Sequence, residues 1–269
     1  MSYVSLDLSD LALAAALLII NGAISLAFRL GLERSMAVAA VRMVAQLAVV
    51  GLALKFVFDV NSPWWTALFA LIMGAAVAYE VHVRQERRIM GFEALALGAT
   101  PPFVAGLIAT LFATAVIIAP DPWYAPRYVL PILGMMLGNA LTGTTLVLDT
   151  VTHAALRERA AIEARLALGA TRFEAMNDVL RRALRTGLLP ILTAMAATGI
   201  VSLPGMMTGQ ILAGIGPVAA AKYQIMIMFL IAGATGLAVL AAGIGAVLLI
   251  TDERHRLRLD RIASKAGAK

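Results

Sequence analysis

The residues best suited to chemistry lie in the stretch Ser202-Leu-Pro-Gly-Met-Met-Thr-Gly-Gln-Ile-Leu212. There a Pro204-Gly205 pair interrupts a segment otherwise apolar enough to cross a bilayer, and Met206, Met207, Thr208 and Gln210 follow the break. In hydrocarbon, each backbone group freed by a broken helix is costly unless protein or a water-filled cavity satisfies it. The break therefore predicts a lined path or a packed interface rather than a lipid-facing surface. A discontinuous helix also presents carbonyls and amides near the bilayer centre, as many transporter sites do. Thioethers are soft ligands, suited to Cu(I) more than to iron. They also fill irregular packing gaps, and the scatter of the 13 methionines through several apolar segments favours that role.

Polar residues inside a span default to function. Asn139, Thr142, Thr144 and Thr145 stand together beside Gly134, Gly138 and Gly143. The alternative is helix packing, with hydroxyls bonded to their own backbone and the Gly134-x3-Gly138 spacing admitting a close neighbour. Glu80 is suited to binding a cation or relaying a proton, and equally to pairing with Arg84 four residues on. His82, two residues from Glu80, does not share its helical face. Gln46 and Arg42 are four apart on one face, and Arg42 is expected to reach the inner surface or an acid on a neighbouring span. His82, His153 and His255 show no mutual ligand spacing, so no zinc-type site is assigned. Without cysteine the chain has no disulfide and no thiolate ligand.

These residues must be positioned by membrane helices. The chain has 269 residues, 61% hydrophobic and 14% charged, against about 25% charged in a soluble domain. A crossing helix needs about 20 mostly apolar residues. Seven candidates meet this: 10–29, 36–57, 64–83, 102–120, 128–149, 187–211 and 222–250. The expected fold is an all-α, polytopic membrane protein forming one permease-like domain over 1–269. With the N-terminus outside and the C-terminus cytoplasmic, 19 of the 22 basic residues fall inside, and only Lys55, Arg127 and Lys222 fall outside. The reverse orientation inverts that ratio. Trp64, Trp65, Trp123 and Tyr124 then sit at the outer interface, where amphipathic rings belong. The net charge of +6 is thus an orientation signal, not a nucleic-acid footprint.

The outer connections, 58–63 and 121–127, are too short for a folded domain. The inner segment 150–186 is long, polar and rich in arginine, and long loops in compact chains usually have a task. Two copies of Leu-Ala-Leu-Gly-Ala-Thr lie on the inner side, at 95–100 and 166–171. Each reads as a helix ended by glycine, then a new helix. Thr171 with Glu174 fits a capping box, and Thr100 with Pro101 fits an N-cap followed by proline. The second copy is expected to dock a partner, through Glu163, Ala164, Gly169, Ala170, Thr171 and Arg172. The first is read either as docking or as plain punctuation.

Glu163-Ala164, with Gly169 six residues on, resembles the coupling loop of ABC-transporter membrane subunits. Arg165 replaces its third-position alanine, and the downstream proline is not at the usual spacing. The stretch Gly199–Gly214, then Pro217 and Tyr223-Gln224-Ile225, is similar to the FetB family of ABC permeases, as are Arg42 with Gln46 and Gly138-Asn139 with Thr142-Gly143-Thr144. The resemblance implies a seven-span permease of the plasma (inner) membrane that dimerises and pairs with two copies of a cytoplasmic ATPase. It further implies export of iron or a related metal-stress solute. It adds Gln224 to the pathway candidates Asn139, Thr142, Pro204, Gly205, Met206, Met207, Gln210, Glu80 and Gln46.

The chain has no Gly-x4-Gly-Lys-Ser/Thr loop. It is therefore expected to bind no cofactor, with ATP and magnesium on the partner subunit. An intramembrane enzyme is disfavoured, since no His-Glu-x-x-His or Gly-x-Ser-x-Gly occurs. An ATPase-independent channel or secondary transporter is the alternative. Substrate identity stays open.

Overall fold

A computed structural model describes residues 7–85 and 87–264; Lys265 and Lys269, counted above as inner charges, lie outside them. The chain divides into two compact units, Met1–Val60 and Asn61–Lys269.

The first unit is a helical hairpin of α1 (Leu8–Ala27) and α2 (Glu33–Val60). Asp7 and Asp10 cap α1, the Asp10 carboxylate accepting from the Asp7 N–H at 2.9 Å. Arg29 and Gly31 turn the chain through positive φ. The Ser25 hydroxyl pins the turn, accepting from Leu32 N–H and donating to Glu33 Oε2 at 2.9 Å.

The second unit comprises α3 (Pro63–Arg84), β1 (Arg87–Ile89), α4 (Phe92–Phe112), α5 (Pro126–Arg157), α6 (Arg159–Ala167), α7 (Arg172–Ala197), α8 (Gly205–Leu212), α9 (Pro217–Ile250) and β2 (Ile262–Ser264). A π-helical turn, Ala113–Ile118, prolongs α4. Proline opens α3, α5 and α9, where its missing N–H has no partner to lose. α5 is the axis of the unit, packed by α3, α4, α7 and α9. Its Leu133, Met136, Val147, Leu148 and Val151 are fully buried, as are Ile227, Val239, Val247 and Ile250 of α9. β1 and β2 pair antiparallel, Arg88 opposite Ala263. This ties the α3–α4 connection to the tail after α9, so both lie at one end of the bundle. Arg261 closes that end by donating to the Leu249 carbonyl at 2.8 Å.

Among the described residues, six helices are long and apolar enough to cross a membrane: α1, α2, α3, α4 with its π turn, α5 and α9. The protein is an all-α, multi-pass membrane protein. The expected span 187–211 is not one helix. α7 stops at Ala197, where the Thr198 hydroxyl bonds back to the Ala194 carbonyl at 2.7 Å and Gly199 takes φ +92. Pro204 then begins α8.

The two Leu-Ala-Leu-Gly-Ala-Thr copies adopt different structures. The expectation of a turn holds at 166–171 and fails at 95–100, where α4 runs unbroken through Gly98, Thr100, Pro101 and Pro102. Gly98 serves contact there: a Cβ on it would lie 3.0 Å from Val81 Cγ1. Packing of α4 on α3 overrides the local signal.

Candidate functional site

Two regions hold most of the sequence-selected residues. The first is the elbow between α6 and α7. Ala170 N–H donates to the Arg165 carbonyl and Gly169 N–H to that of Leu166, at 3.1 and 3.0 Å. This is a Schellman stop, and it requires the left-handed glycine; Gly169 has φ +92. Thr171 restarts the chain: Glu174 N–H donates to its hydroxyl, and Glu174 Oε2 accepts from Thr171 N–H at 2.7 Å. The predicted capping box is present. The Thr171 amide and hydroxyl hold the Glu174 carboxyl below the usual carboxylate range.

Ion pairs brace the elbow. Arg165 meets Asp178 at 2.8 Å and Arg182 meets Glu158 at 2.6 Å, while Arg159 meets Glu163 at 2.8 Å. His255 Nδ1 of the tail accepts from Arg172 N–H at 3.2 Å. Glu163, Gly169 and Ala170 line a cleft of about 570 Å³ with Arg254, His255 and Arg256. Leu168, at the tip, is 89% exposed. Sequence reasoning missed this leucine; the signal was an apolar residue at a glycine stop, where no helix face can bury it.

The second region follows the Thr198–Pro204 break. A cavity of about 390 Å³ opens between α7, α8 and α9, lined by Met195, Thr198, Gly199, Met207, Gln224 and Met228 among others. Of the pathway candidates, Met207 and Gln224 line it. Gln224 is 5% exposed, and its Oε1 is buried without a hydrogen-bond partner. Met206, one residue from Met207, packs instead on the core around Met136, Ile191 and Ile227. Pro204 and Gly205 start α8, beside the cavity's Met207. Gln210, on α8, has a buried, unpartnered Oε1 but does not line the cavity.

The other candidates go elsewhere. Asn139 Nδ2 donates to the Met135 carbonyl at 2.9 Å and Thr142 Oγ1 to that of Gly138 at 3.1 Å, the local bonding expected of polar groups in packed helices. Glu80 meets Arg84 at 3.2 Å, the intrahelical pair. Gln46 is on α2 in the first unit, whereas the cavity is built wholly from the second. Sequence reasoning missed Met195, Thr198 and Met228. Their signal was spacing: Gln224 and Met228 stand four apart on α9, and Met195 stands three before Thr198. Among the described residues no three His, Asp or Glu side chains gather as a metal site.

No solved structure matches the chain. A Synechocystis protein, "UPF0014 membrane protein slr1647", is 39% identical over 71% of this chain and 73% of its own length. "Probable iron export permease protein FetB" of Escherichia coli is 31% identical over 95% of this chain and 96% of its own. "Protein ALUMINUM SENSITIVE 3" of Arabidopsis thaliana is 33% identical over 82% and 80%. Residues 8–248 match the uncharacterised protein family UPF0014, and the chain belongs to that family.

Proposed function

We propose that this chain is the permease subunit of an ABC transporter in the inner membrane, exporting iron or a related metal-stress solute. A separate ATPase, binding ATP and magnesium, drives it, and two permeases with two ATPases form the working assembly. The relatives' names, an iron export permease and an aluminium-sensitivity protein, support the substrate class.

The observation that carries the reading is the Leu168-Gly169 knuckle. A nine-residue helix, α6, ends in a fixed turn that projects an apolar side chain from a basic, ion-paired collar at one end of the bundle. Such a knob, continuous with α5 through Glu158 and braced to α7 by the Arg182–Glu158 and Arg165–Asp178 pairs, transmits a push to both helices. The α7–α8 break and the cavity beside it then alternate between the two sides. A solute is expelled only if it binds one state less tightly than the other.

The test is co-purification with an ABC ATPase subunit co-expressed from the same source. Leu168→Asp is expected to fold normally, since the side chain is exposed, and to lose the ATPase. A variant that keeps both its partner and its ATP-driven transport contradicts the docking role.

A further inference from the structure

The cavity between α7, α8 and α9 is lined by uncharged donors, sulfur foremost. Its three thioethers come from three helices: Met195 from α7, Met207 from α8 and Met228 from α9. Gln224 adds a buried amide oxygen that no group in the protein satisfies. The Thr198 hydroxyl spends its proton on the Ala194 carbonyl, so its lone pairs are what it offers the cavity. None of the lining residues is charged.

A polar organic solute finds little here, because thioethers donate no hydrogen bonds and accept them weakly. A cation finds neutral lone-pair donors on all three helices. Its charge is decided by solvation: the cost of taking an ion from water rises with the square of its charge, and neutral ligands return no opposite charge. A monovalent ion therefore pays about a quarter of the divalent desolvation cost. Its softness is decided by sulfur, since thioethers select Cu(I) among the first-row metals. Fe(II), harder and doubly charged, meets no carboxylate or imidazole in this lining.

We infer that this cavity binds a soft monovalent cation of the Cu(I) type, held by the sulfurs of Met195, Met207 and Met228 and by Gln224 Oε1. The inference rests on the transport reading and takes its related metal in place of iron: the substrate of the pathway is a soft monovalent cation. Because the sulfurs sit on three helices, a shift of α8 against α9 takes Met207 from Met228 and releases the ion. The arrangement thus supplies the difference in affinity between states that transport needs.

The test is an anaerobic competition titration of the full-length protein purified in detergent, Cu(I) against bathocuproine disulfonate and Fe(II) against ferrozine. The wild type is expected to withhold Cu(I) and to cede Fe(II). Met195→Leu, Met207→Leu, Met228→Leu and Gln224→Leu each weaken Cu(I) binding about 10-fold or more, and the triple methionine variant abolishes it. Gln224→Met, which supplies another thioether, retains binding. Leucine matches methionine in volume, and Met135→Leu, packed in the core outside the cavity, leaves binding unchanged. If the triple variant does not fold, the single variants carry the comparison. A wild type that cedes Cu(I), methionine variants that bind as it does, or tighter Fe(II) than Cu(I) overturns the site. Cu(I) held here by a chain that recruits no ATPase would sink the transport reading and leave the site standing.

Discussion

Gly143 of α5 and Gly187 of α7 meet backbone to backbone. A Cβ on Gly143 would lie 3.0 Å from the Gly187 carbonyl oxygen, and a Cβ on Gly187 would lie 2.9 Å from that of Gly143. Val147 and Val239 close the crossing on either side. Gly138, whose spacing with Gly134 signalled close packing, meets nothing within 4 Å in this chain. Gly143→Ala and Gly187→Ala are each expected to destabilise the protein by about 1–3 kcal/mol. Gly138→Ala is expected to leave it unchanged or to stabilise it by up to about 1 kcal/mol. Thermal unfolding in detergent reads all three.

The paired phrases at 95–100 and 166–171 separate two uses of glycine. At Gly169 the backbone is at fault for any side chain, so Gly169→Val costs about 1–2 kcal/mol, while Gly169→Asn, which tolerates left-handed backbone, costs less. At Gly98 the obstacle is Val81, 3.0 Å from a new Cβ. Gly98→Ala is expected to cost about 1 kcal/mol, and Val81→Ala in the same chain to return part of it. Equal costs for the two Gly169 variants, or additive costs for the Gly98 pair, contradict this assignment.

Glu158 joins α5, α6 and α7 through Arg157 and Arg182. Burial raises its pKa, but the hydrogen bonds from the two guanidiniums outweigh this and leave it below the ordinary 4.5. A depressed carboxyl stabilises the fold fully above its unfolded pKa and stops doing so as pH falls through its folded value. Glu158→Gln is therefore expected to lose about 1 kcal/mol at neutral pH. The gap to wild type should stay level down to about pH 5 and close below it, as measured by unfolding at stepped pH. A gap that widens on acidification contradicts the pairing.

Six of the seven expected spans coincide with helices long and apolar enough to cross a membrane, because long apolar runs are legible in the sequence. The elbow at 163–174 was legible too, since a glycine stop and a Thr-x-x-Glu start are local signals that the fold leaves intact. The failure at 95–100 shows their limit: the same letters continue a helix when Val81 occupies the space beside Gly98. The 187–211 break was visible at Pro204-Gly205, but its onset comes earlier, at Thr198, where Gly199 turns the chain through φ +92. The cavity was only half legible. Met207 and Gln224 stood out, whereas Met195 and Met228 look like any core methionine until α7, α8 and α9 bring them together.

The central claim is that this chain moves nothing without a separate motor acting at Leu168. The direct measurement is metal flux in liposomes holding the purified protein, alone or with its ATPase and ATP. The account predicts flux only with both, abolished by Leu168→Asp. Rapid flux from the protein alone, unchanged by ATP or by that substitution, would contradict it.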